Sequence, residues 1–375
     1  MKRSFAAISA ALILFNWIAD ATGQGVQVEE PIGILLAAGD IAKCGNEPRH
    51  LMDEATAAKL AEQVKDADRK KIPIHVLALG DLAYDHGSPE NFRCFDHSWG
   101  ALNNLTLDNT NVDGLLLPVP GNHEYEQPGP ARPYYDYFVS KRNPWVFQQE
   151  KHQKKQKSNN KGYYALKFPH PTNGPWHLFA LNSELNGQAM KDQSRWLDEQ
   201  LKTSDAACVL AFWHRPLFSS GPHGHGDCGK VRGQPCRKPN APLCHPDQNA
   251  PYCRSLKRMK EAYTILYKHG ASVVLTGHEH NFEQFKRLSP DAKEDPKGIR
   301  SFVIGTGGGS LYQDPYRMRW TDVHEVYSHT SFGVLRLDLF SSWYRWTFLP
   351  IENNAPISLE VNGVRIAKDT CLTRS

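Results

Sequence analysis

The sequence has little that would tie it to a membrane, to nucleic acid or to a nucleotide. Beyond an apolar stretch near the N-terminus, none of its hydrophobic runs approaches the ~20 residues that a membrane-spanning helix needs. The 44 Lys and Arg residues barely exceed the 40 Asp and Glu residues, and this balance does not favour nucleic-acid binding. The glycine-rich run at residues 305–310 lacks the Gly-Lys-Ser/Thr ending of a nucleotide-binding loop, and the Gly-x-Ser-x-Gly pattern of serine hydrolases is missing.

The N-terminus has the three parts of a secretory signal. A basic start leads into an apolar stretch over residues 5–18, and small residues follow at Ala19, Ala21 and Gly23. We therefore expect residues 1–23 to be a signal peptide. We also expect the protein to be secreted, either to the extracellular medium or to a periplasm, and to have no membrane attachment after cleavage.

Eight cysteines in an exported chain predict disulfide bonds, because an oxidising compartment permits them. Four of them fall in a Gly- and Pro-rich insertion at residues 224–254, where the spacings lack the Cys-x-x-Cys pairs that zinc sites favour. We expect this insertion to be stapled by disulfides. Cys44 and Cys94 each follow a predicted strand and could be joined, whereas Cys208 lies in an apolar run and is expected to be a buried packing residue.

Short apolar runs alternate with helical patterns along the chain. Runs rich in Val, Ile, Leu and Phe predict buried strands at residues 34–38, 74–79, 115–119, 178–181, 209–213, 273–275, 302–304 and 334–339. Amphipathic patterns predict helices over residues 51–68, 191–201 and 255–267. This alternation is typical of sheets covered by helices, and further strand character at residues 343–348 favours a second sheet that closes a β-sandwich.

Five short motifs stand at the ends of predicted strands. In chain order they are Gly39-Asp40, Gly80-Asp81-Leu82-Ala83-Tyr84, Gly121-Asn122-His123-Glu124, Trp213-His214 and Gly277-His278-Glu279-His280. A Gly-Asp pair after a strand is usually only a turn, so the argument depends on their joint occurrence. His278 and His280 are two residues apart after a strand and point the same way, which suits metal ligation better than core packing.

Together these motifs supply the donors of a two-metal hydrolytic site. Two ions about 3.5–4 Å apart lower the pKa of bound water and clamp the oxygens of a phosphoryl group. Such a site needs nitrogen and oxygen ligands, with at least one carboxylate bridging the ions. The candidate ligands are Asp40, Asp81, Tyr84, Asn122, His214, His278 and His280.

In this order the motifs resemble those of calcineurin-like metallophosphoesterases, and the tyrosine of the second motif narrows the resemblance to purple acid phosphatases. The resemblance covers roughly residues 33–310. It implies an α/β fold (α+β in some classifications), namely a four-layer metallophosphoesterase β-sandwich flanked by helices. We expect the catalytic domain at residues 30–350 and a C-terminal tail at residues 351–375.

The resemblance also implies a role for each residue. A first metal, a ferric ion, would be bound by Asp40, Asp81, Tyr84 and His280, and a second, divalent metal (Zn²⁺, Fe²⁺ or Mn²⁺) by Asp81, Asn122, His214 and His278. Asp81 would bridge the two ions. His123 would face the substrate and protonate the leaving oxygen, assisted by His223, which follows His214 by nine residues. Ala42 stands where related phosphoesterases often carry His or Gly, and the lack of a histidine there agrees with a tyrosine, Tyr84, serving the first metal.

These residues predict an exported phosphatase that hydrolyses small phosphate monoesters by in-line attack of a metal-bound hydroxide. One alternative is a phosphodiesterase or nucleotide pyrophosphatase, because the same metals serve both reactions and the groups that select the substrate lie in loops. The other is a secreted metal- or phosphate-binding protein without catalysis. The complete set of candidate ligands makes this last alternative the weakest.

Overall fold

The computed structural model describes most of the chain outside its N-terminus and its insertions. The described residues are 29–45, 52–108, 114–127, 129–141, 143, 161–169, 174–219, 221, 251–312, 323–351 and 366–372. The expected signal peptide, His223 and most of the cysteine-rich insertion lie outside these ranges, and their roles stay predictions. Among the helices in the described ranges, none is both long and apolar enough to cross a membrane.

The described strands and helices alternate along much of the chain. The strands are β1 (Gly33–Ala38), β2 (Ala42–Lys43), β3 (Ile74–Leu79), β4 (Ala83–Tyr84), β5 (Leu116–Val119), β6 (Tyr164–Phe168), β7 (Trp176–Ala180), β8 (Cys208–Trp213), β9 (Val273–Thr276), β10 (Phe282–Leu288), β11 (Ile299–Ile304), β12 (His324–Ser328), β13 (Gly333–Leu339), β14 (Trp343–Pro350) and β15 (Ile366–Thr370). The α-helices are α1 (Met52–Lys70), α2 (Pro89–His97), α3 (Arg132–Ser140), α4 (Gly187–Lys202) and α5 (Pro251–Lys268). Two 3₁₀ helices lie at Trp99–Asn104 and His123–Tyr125.

Two large sheets contain all the strands except the small pair β2 and β4. The first has six strands in the order β15-β14-β13-β1-β3-β5, in which β1, β3 and β5 are parallel. The second has seven strands in the order β12-β10-β11-β9-β8-β7-β6, in which β7, β8, β9 and β11 are parallel. Each sheet thus has a parallel section whose strands end at one edge.

The side chains of β8 show how the layers are arranged. Leu210 and Phe212 belong to the core that also contains residues of the six-stranded sheet, whereas Val209 and Ala211 belong to a second core with α4 and α5. Successive side chains of a strand point to opposite faces, so one face of this strand meets the other sheet and the other face meets helices. The six-stranded sheet is covered by α1, which packs against β3 and β13. The order helix–sheet–sheet–helix confirms the predicted fold.

Two disulfide bonds join distant parts of the described chain. Cys44 is bonded to Cys94, as the sequence allowed. Cys208 is fully buried, as expected, and it is also bonded to Cys371, a bond that the sequence did not predict. Cys371 follows β15, which lies in the segment that we set apart as a C-terminal tail. This strand pairs with β14 of the six-stranded sheet.

An ionic network holds the same C-terminal strand against the other sheet. Asp369 of β15 accepts hydrogen bonds from Arg287 of β10 at 2.8 Å and from Arg300 of β11 at 3.0 Å. Tyr344 donates a third at 3.1 Å. Burial opposes ionisation, but the two guanidinium groups hold the pKa of Asp369 below its usual range. The strand is therefore fixed both covalently and by charge.

The N-terminal turn of α1 contacts the glycine-rich loop after β11. Thr56 Oγ1 donates to the Gly307 carbonyl at 2.5 Å and accepts from Trp99 Nε1 at 2.9 Å. A Cβ atom at Gly308 would lie 2.4 Å from the Cα atom of Asp53, so the two segments are in close contact. The Asp53 carboxyl is consequently buried, with a relative exposure of 3%. Burial raises its pKa from the usual 3.8 to about 6, against an opposing hydrogen bond from Ser98.

We expect removal of the Cys208–Cys371 bond to destabilise the protein more than removal of Cys44–Cys94. The first bond spans 163 residues and the second 50, and a longer closed loop restricts the unfolded chain more. Replacing Cys208 and Cys371 by Ala should lower the free energy of unfolding by about 2–5 kcal/mol. Guanidinium unfolding of both double variants measures this, and a larger loss for Cys44/Cys94 would contradict it.

We expect Asp53 to make stability depend on pH. Because its pKa is higher in the folded protein, the folded state binds its proton more tightly, and the free energy of unfolding falls as the pH rises from about 4 to about 6. A shift of this size corresponds to about 2–3 kcal/mol. Asp53→Asn should remove this pH dependence and should be more stable than wild type at pH 7. The control Glu54→Gln, at the exposed neighbouring position, should keep the pH dependence and the stability of wild type. Equal slopes of stability against pH for wild type and Asp53→Asn would refute the assignment.

Candidate metal centre

The five motifs meet where the parallel strands of the two sheets end. From the six-stranded sheet come Asp40 after β1, Asp81 and Tyr84 after β3, and Asn122 after β5; from the seven-stranded sheet come His214 after β8, and His278 and His280 after β9. Every residue that the sequence proposed as a metal ligand is therefore in the same region. Neither sheet supplies the whole set.

One group of donors surrounds the hydroxyl of Tyr84. This hydroxyl lies 2.9 Å from Asp40 Oδ1, 3.3 Å from Asp81 Oδ2 and 3.1 Å from His280 Nε2. On the other side of the His280 ring, Nδ1 is 2.6 Å from Ser310 Oγ. If Nδ1 carries the proton and donates it to this hydroxyl, the Nε2 lone pair faces the oxygens of the group. The arrangement presents three oxygen atoms and one nitrogen atom to a common point.

A second group of donors surrounds Nε2 of His214. It lies 3.2 Å from each of Asp81 Oδ2, Asn122 Oδ1 and His278 Nδ1. The other ring nitrogen, Nδ1, lies 2.9 Å from the Leu79 carbonyl oxygen, which can only accept, so Nδ1 carries a proton. In a neutral ring, Nε2 then has only a lone pair, and that lone pair faces two oxygen acceptors. A cation at this point would remove the conflict.

The electrostatics of the site also call for positive charge. The Asp40 and Asp81 carboxyls are both almost completely buried. Burial alone would lower the pKa of His214, but Asp81 and then Asp40 raise it to about 9. Burial raises the pKa of Tyr84 well above its usual value, and the same two carboxylates raise it further. Asp81, His214 and His278 offer atoms that all lie within 4.8 Å of one another, so the donor set fits bound metal ions.

The main chain at three of these positions is in an unusual conformation. Asp40, Asp81 and His278 have φ values of 60°, 49° and 72°, in the left-handed region that residues other than glycine seldom adopt. Each such residue costs about 1–3 kcal/mol, a cost that is typical of functional sites. At Gly80, where φ is 85°, a Cβ atom would lie 2.6 Å from the ring of His214. The glycine thus allows the two sheets to bring their ligands together.

Glu124 has a role that the sequence did not reveal. Its Oε2 accepts hydrogen bonds from the N–H groups of Gly121 at 2.7 Å and Asp81 at 3.0 Å. Its Oε1 accepts from Leu82 at 2.8 Å and Ala83 at 3.2 Å. This fully buried carboxyl therefore fixes the main chain of the loops after β3 and β5. Its place at the end of the third motif is the only local signal for it.

His123 lies at the edge of the cluster and is partly open to solvent, with 27% of its side chain exposed. Its Nδ1 contacts the Asp85 carbonyl and lies 3.2 Å from Glu126 Oε1. Its Nε2 is 3.7 Å from Asp81 Oδ2, and its ring is 4.6 Å from the ring of Tyr84. The ring is thus next to the metal-binding donors without being among them.

Arg215 and Glu184 form an ion pair beside the second group of donors, and the sequence did not point to either. Arg215 Nε lies 2.9 Å from Glu184 Oε1 and 3.1 Å from Oε2. The Arg215 N–H donates to Ser183 Oγ at 3.2 Å. Arg215 Nη1 is 3.0 Å from Nε2 of His278. A fixed positive charge therefore lies at the border of the site.

Comparisons with known proteins indicate the family and the fold of the chain. A sequence profile described as calcineurin-like phosphoesterase matches residues 33–282. Purple acid phosphatase 18 of Arabidopsis thaliana is 26% identical over 300 residues, covering 77% of this chain and 56% of the plant protein. The structure of purple acid phosphatase PPD1 from yellow lupin (Lupinus luteus) seeds aligns with a TM-score of 0.57 at 15% identity, covering 87% of this chain and 53% of the lupin chain.

A second similar structure is GAP50, the anchor in the inner membrane complex of Plasmodium. It aligns with a TM-score of 0.51 at 10% identity and covers 92% of this chain and 89% of that one. At such identities the solved structures show the fold alone. The chain spans about half the length of the plant phosphatases named above. Since the family profile covers most of the chain, and its motifs meet in one buried site, the protein belongs to the calcineurin-like phosphoesterase family.

Proposed function

We propose that this protein is an exported, metal-dependent phosphatase that hydrolyses small phosphate monoesters. The observation that carries the proposal is the position of Asp81 Oδ2, which is 3.3 Å from the Tyr84 hydroxyl and 3.2 Å from His214 Nε2. One carboxylate oxygen thus belongs to both groups of donors, as a bridging ligand must. When bound, two metal ions supply an activated water molecule and neutralise phosphoryl oxygens.

The proposed division of the ligands between two ions follows the one that the resemblance implies. We assign Asp40, Asp81, Tyr84 and His280 to a ferric ion, and Asp81, Asn122, His214 and His278 to a divalent ion, Zn²⁺, Fe²⁺ or Mn²⁺. In each set three donor atoms lie about one hydrogen-bond length from a fourth, the Tyr84 hydroxyl in the first set and His214 Nε2 in the second, which supports the division. The phenol of Tyr84, whose pKa is raised by burial and by carboxylates, needs a strongly acidic metal to displace its proton.

His123 is proposed as the general acid. Its Nδ1 can donate to the Asp85 carbonyl, and this contact orients the ring so that Nε2 faces the metal-binding donors. A proton on Nε2 is then available to the leaving oxygen of a substrate. His223 remains a proposed assistant, from a segment outside the described residues.

Export is supported by the disulfides Cys44–Cys94 and Cys208–Cys371, because such bonds persist in oxidising compartments. A phosphodiesterase with the same metals is the second candidate function. A non-catalytic role deserves a test because GAP50, a protein of similar fold, is an anchor. The complete set of buried donors favours catalysis here.

We expect Asp81 and His123 to separate metal binding from proton transfer. Asp81→Asn keeps the size of the side chain and tolerates the left-handed backbone, but an amide cannot bridge two ions, so metal content and turnover should both be lost. His123→Ala should keep both metals and reduce kcat about 10²–10⁴-fold on an alkyl phosphate, with a smaller reduction on an activated aryl phosphate. Metal analysis and kinetics on both substrates test this. Full activity of His123→Ala on the alkyl ester would exclude the acid role.

We expect the purified protein to have a visible charge-transfer band that depends on Tyr84. Tyr84→Phe keeps the ring against His123 but removes the phenolate, so the band should disappear. Tyr312→Phe is the matched control. The Tyr312 ring stacks on His280 with 5.4 Å between the ring centroids, but its hydroxyl donates a hydrogen bond to Glu279. An active, colourless protein with two divalent ions would rule out the ferric assignment and leave the phosphatase proposal intact.

A further inference from the structure

The ion pair of Arg215 and Glu184 is well ordered by its surroundings. The side chains are only 15% and 10% exposed, and both carboxylate oxygens of Glu184 lie within hydrogen-bond distance of Arg215 Nε. Ser183 Oγ donates to Glu184 Oε1 at 2.9 Å and accepts from the Arg215 N–H. These contacts fix the main chain and the Nε atom of Arg215. Its Nη1 atom remains directed at the proposed metal centre.

Arg215 Nη1 contacts a ring nitrogen of His278 whose protonation would depend on metal binding. Nη1 is 3.0 Å from His278 Nε2, and His278 Nδ1 is the atom that faces the other donors. A neutral imidazole that gives its Nδ1 lone pair to a metal carries its proton on Nε2. Guanidinium can only donate, so two donors would then face each other. A metal bound at His278 Nδ1 would therefore make Arg215 Nη1 available to another acceptor.

We propose that Arg215 binds a non-bridging oxygen of the phosphoryl group, in the substrate and in the product phosphate, and that Glu184 positions it. This inference rests on the proposed phosphatase function. Arginine suits the task because its planar group remains charged and can donate to Glu184 and to phosphate at the same time. Both residues follow strands of the seven-stranded sheet, β7 for Glu184 and β8 for Arg215, so the positioning is rigid.

The position of this charge also bears on the class of substrate. A phosphate monoester is a dianion near neutral pH and has an unesterified oxygen for each metal and one for Arg215. A diester carries a single negative charge and a second organic group, so it gains less from an additional cation. Arg215 should accordingly favour monoesters over diesters.

The test compares metal-loaded wild type with Arg215→Ala and Glu184→Gln. Inorganic phosphate is the probe, and calorimetry measures its dissociation constant. A lost hydrogen bond between charged groups should weaken binding about 10- to 100-fold in Arg215→Ala, and by a smaller factor in Glu184→Gln. On an aryl phosphate, kcat/KM should fall by a similar factor, and on the bis-aryl diester by less. Metal analysis should still find two ions per chain.

Arg195→Ala is the matched control, because Arg195 is also paired to a carboxylate, Asp192 at 2.6 Å, but on an exposed face of α4. It should bind phosphate as wild type does. Unchanged phosphate binding in Arg215→Ala would overturn the inference, and so would a loss of metal together with phosphate, since Arg215 would then act through His278. A wild-type protein that binds phosphate but hydrolyses neither ester would refute the phosphatase function, while the calorimetry would still decide the role of Arg215.

Discussion

The site depends first on a single buried carboxyl group, that of Glu124. The Glu124 side chain accepts hydrogen bonds from four backbone N–H groups of two loops. Without Glu124 these N–H groups would lack a hydrogen-bond partner in the protein interior. Its contact with the Asp81 N–H fixes a residue in a left-handed conformation, and the direction of the Asp81 side chain follows from that main chain. Because Asp81 Oδ2 belongs to both groups of donors, the geometry of the whole centre follows from this local arrangement of the backbone.

The parallel strands at the centre of the fold could be predicted from sequence because burial on both faces leaves a continuous apolar run. Strand β3 has the predicted bounds, and β1 begins one residue earlier than predicted. Strand β10 was missed, because its sequence Phe-Glu-Gln-Phe-Lys-Arg-Leu has no such run. Its buried Glu283 is paired with Ser219 and His324, and partners that are distant in sequence have no local signature.

The residues of the site also differ in whether a local sequence pattern reveals them. The proposed ligands stand in short motifs with fixed spacing, so the sequence was sufficient to propose them. Arg215 and Glu184 are 31 residues apart, and neither belongs to a pattern that indicates the other. Cys208 could be recognised as buried, but its bond to a cysteine 163 residues away could not. Pattern reveals what a segment contains, whereas pairing between segments becomes visible only when the chain is folded.

The division of the donors between two sheets has a consequence for how the protein is assembled. Asp40, Asp81, Tyr84 and Asn122 follow strands of the six-stranded sheet and the three histidines follow strands of the seven-stranded sheet, so the segments after one sheet alone cannot form either complete group. High affinity for metal can arise only after the sheets have docked, and a ligand that binds only the folded state stabilises it in return. We therefore expect tight metal binding to follow docking of the two sheets. Binding of the ions and docking of the sheets are thus thermodynamically linked.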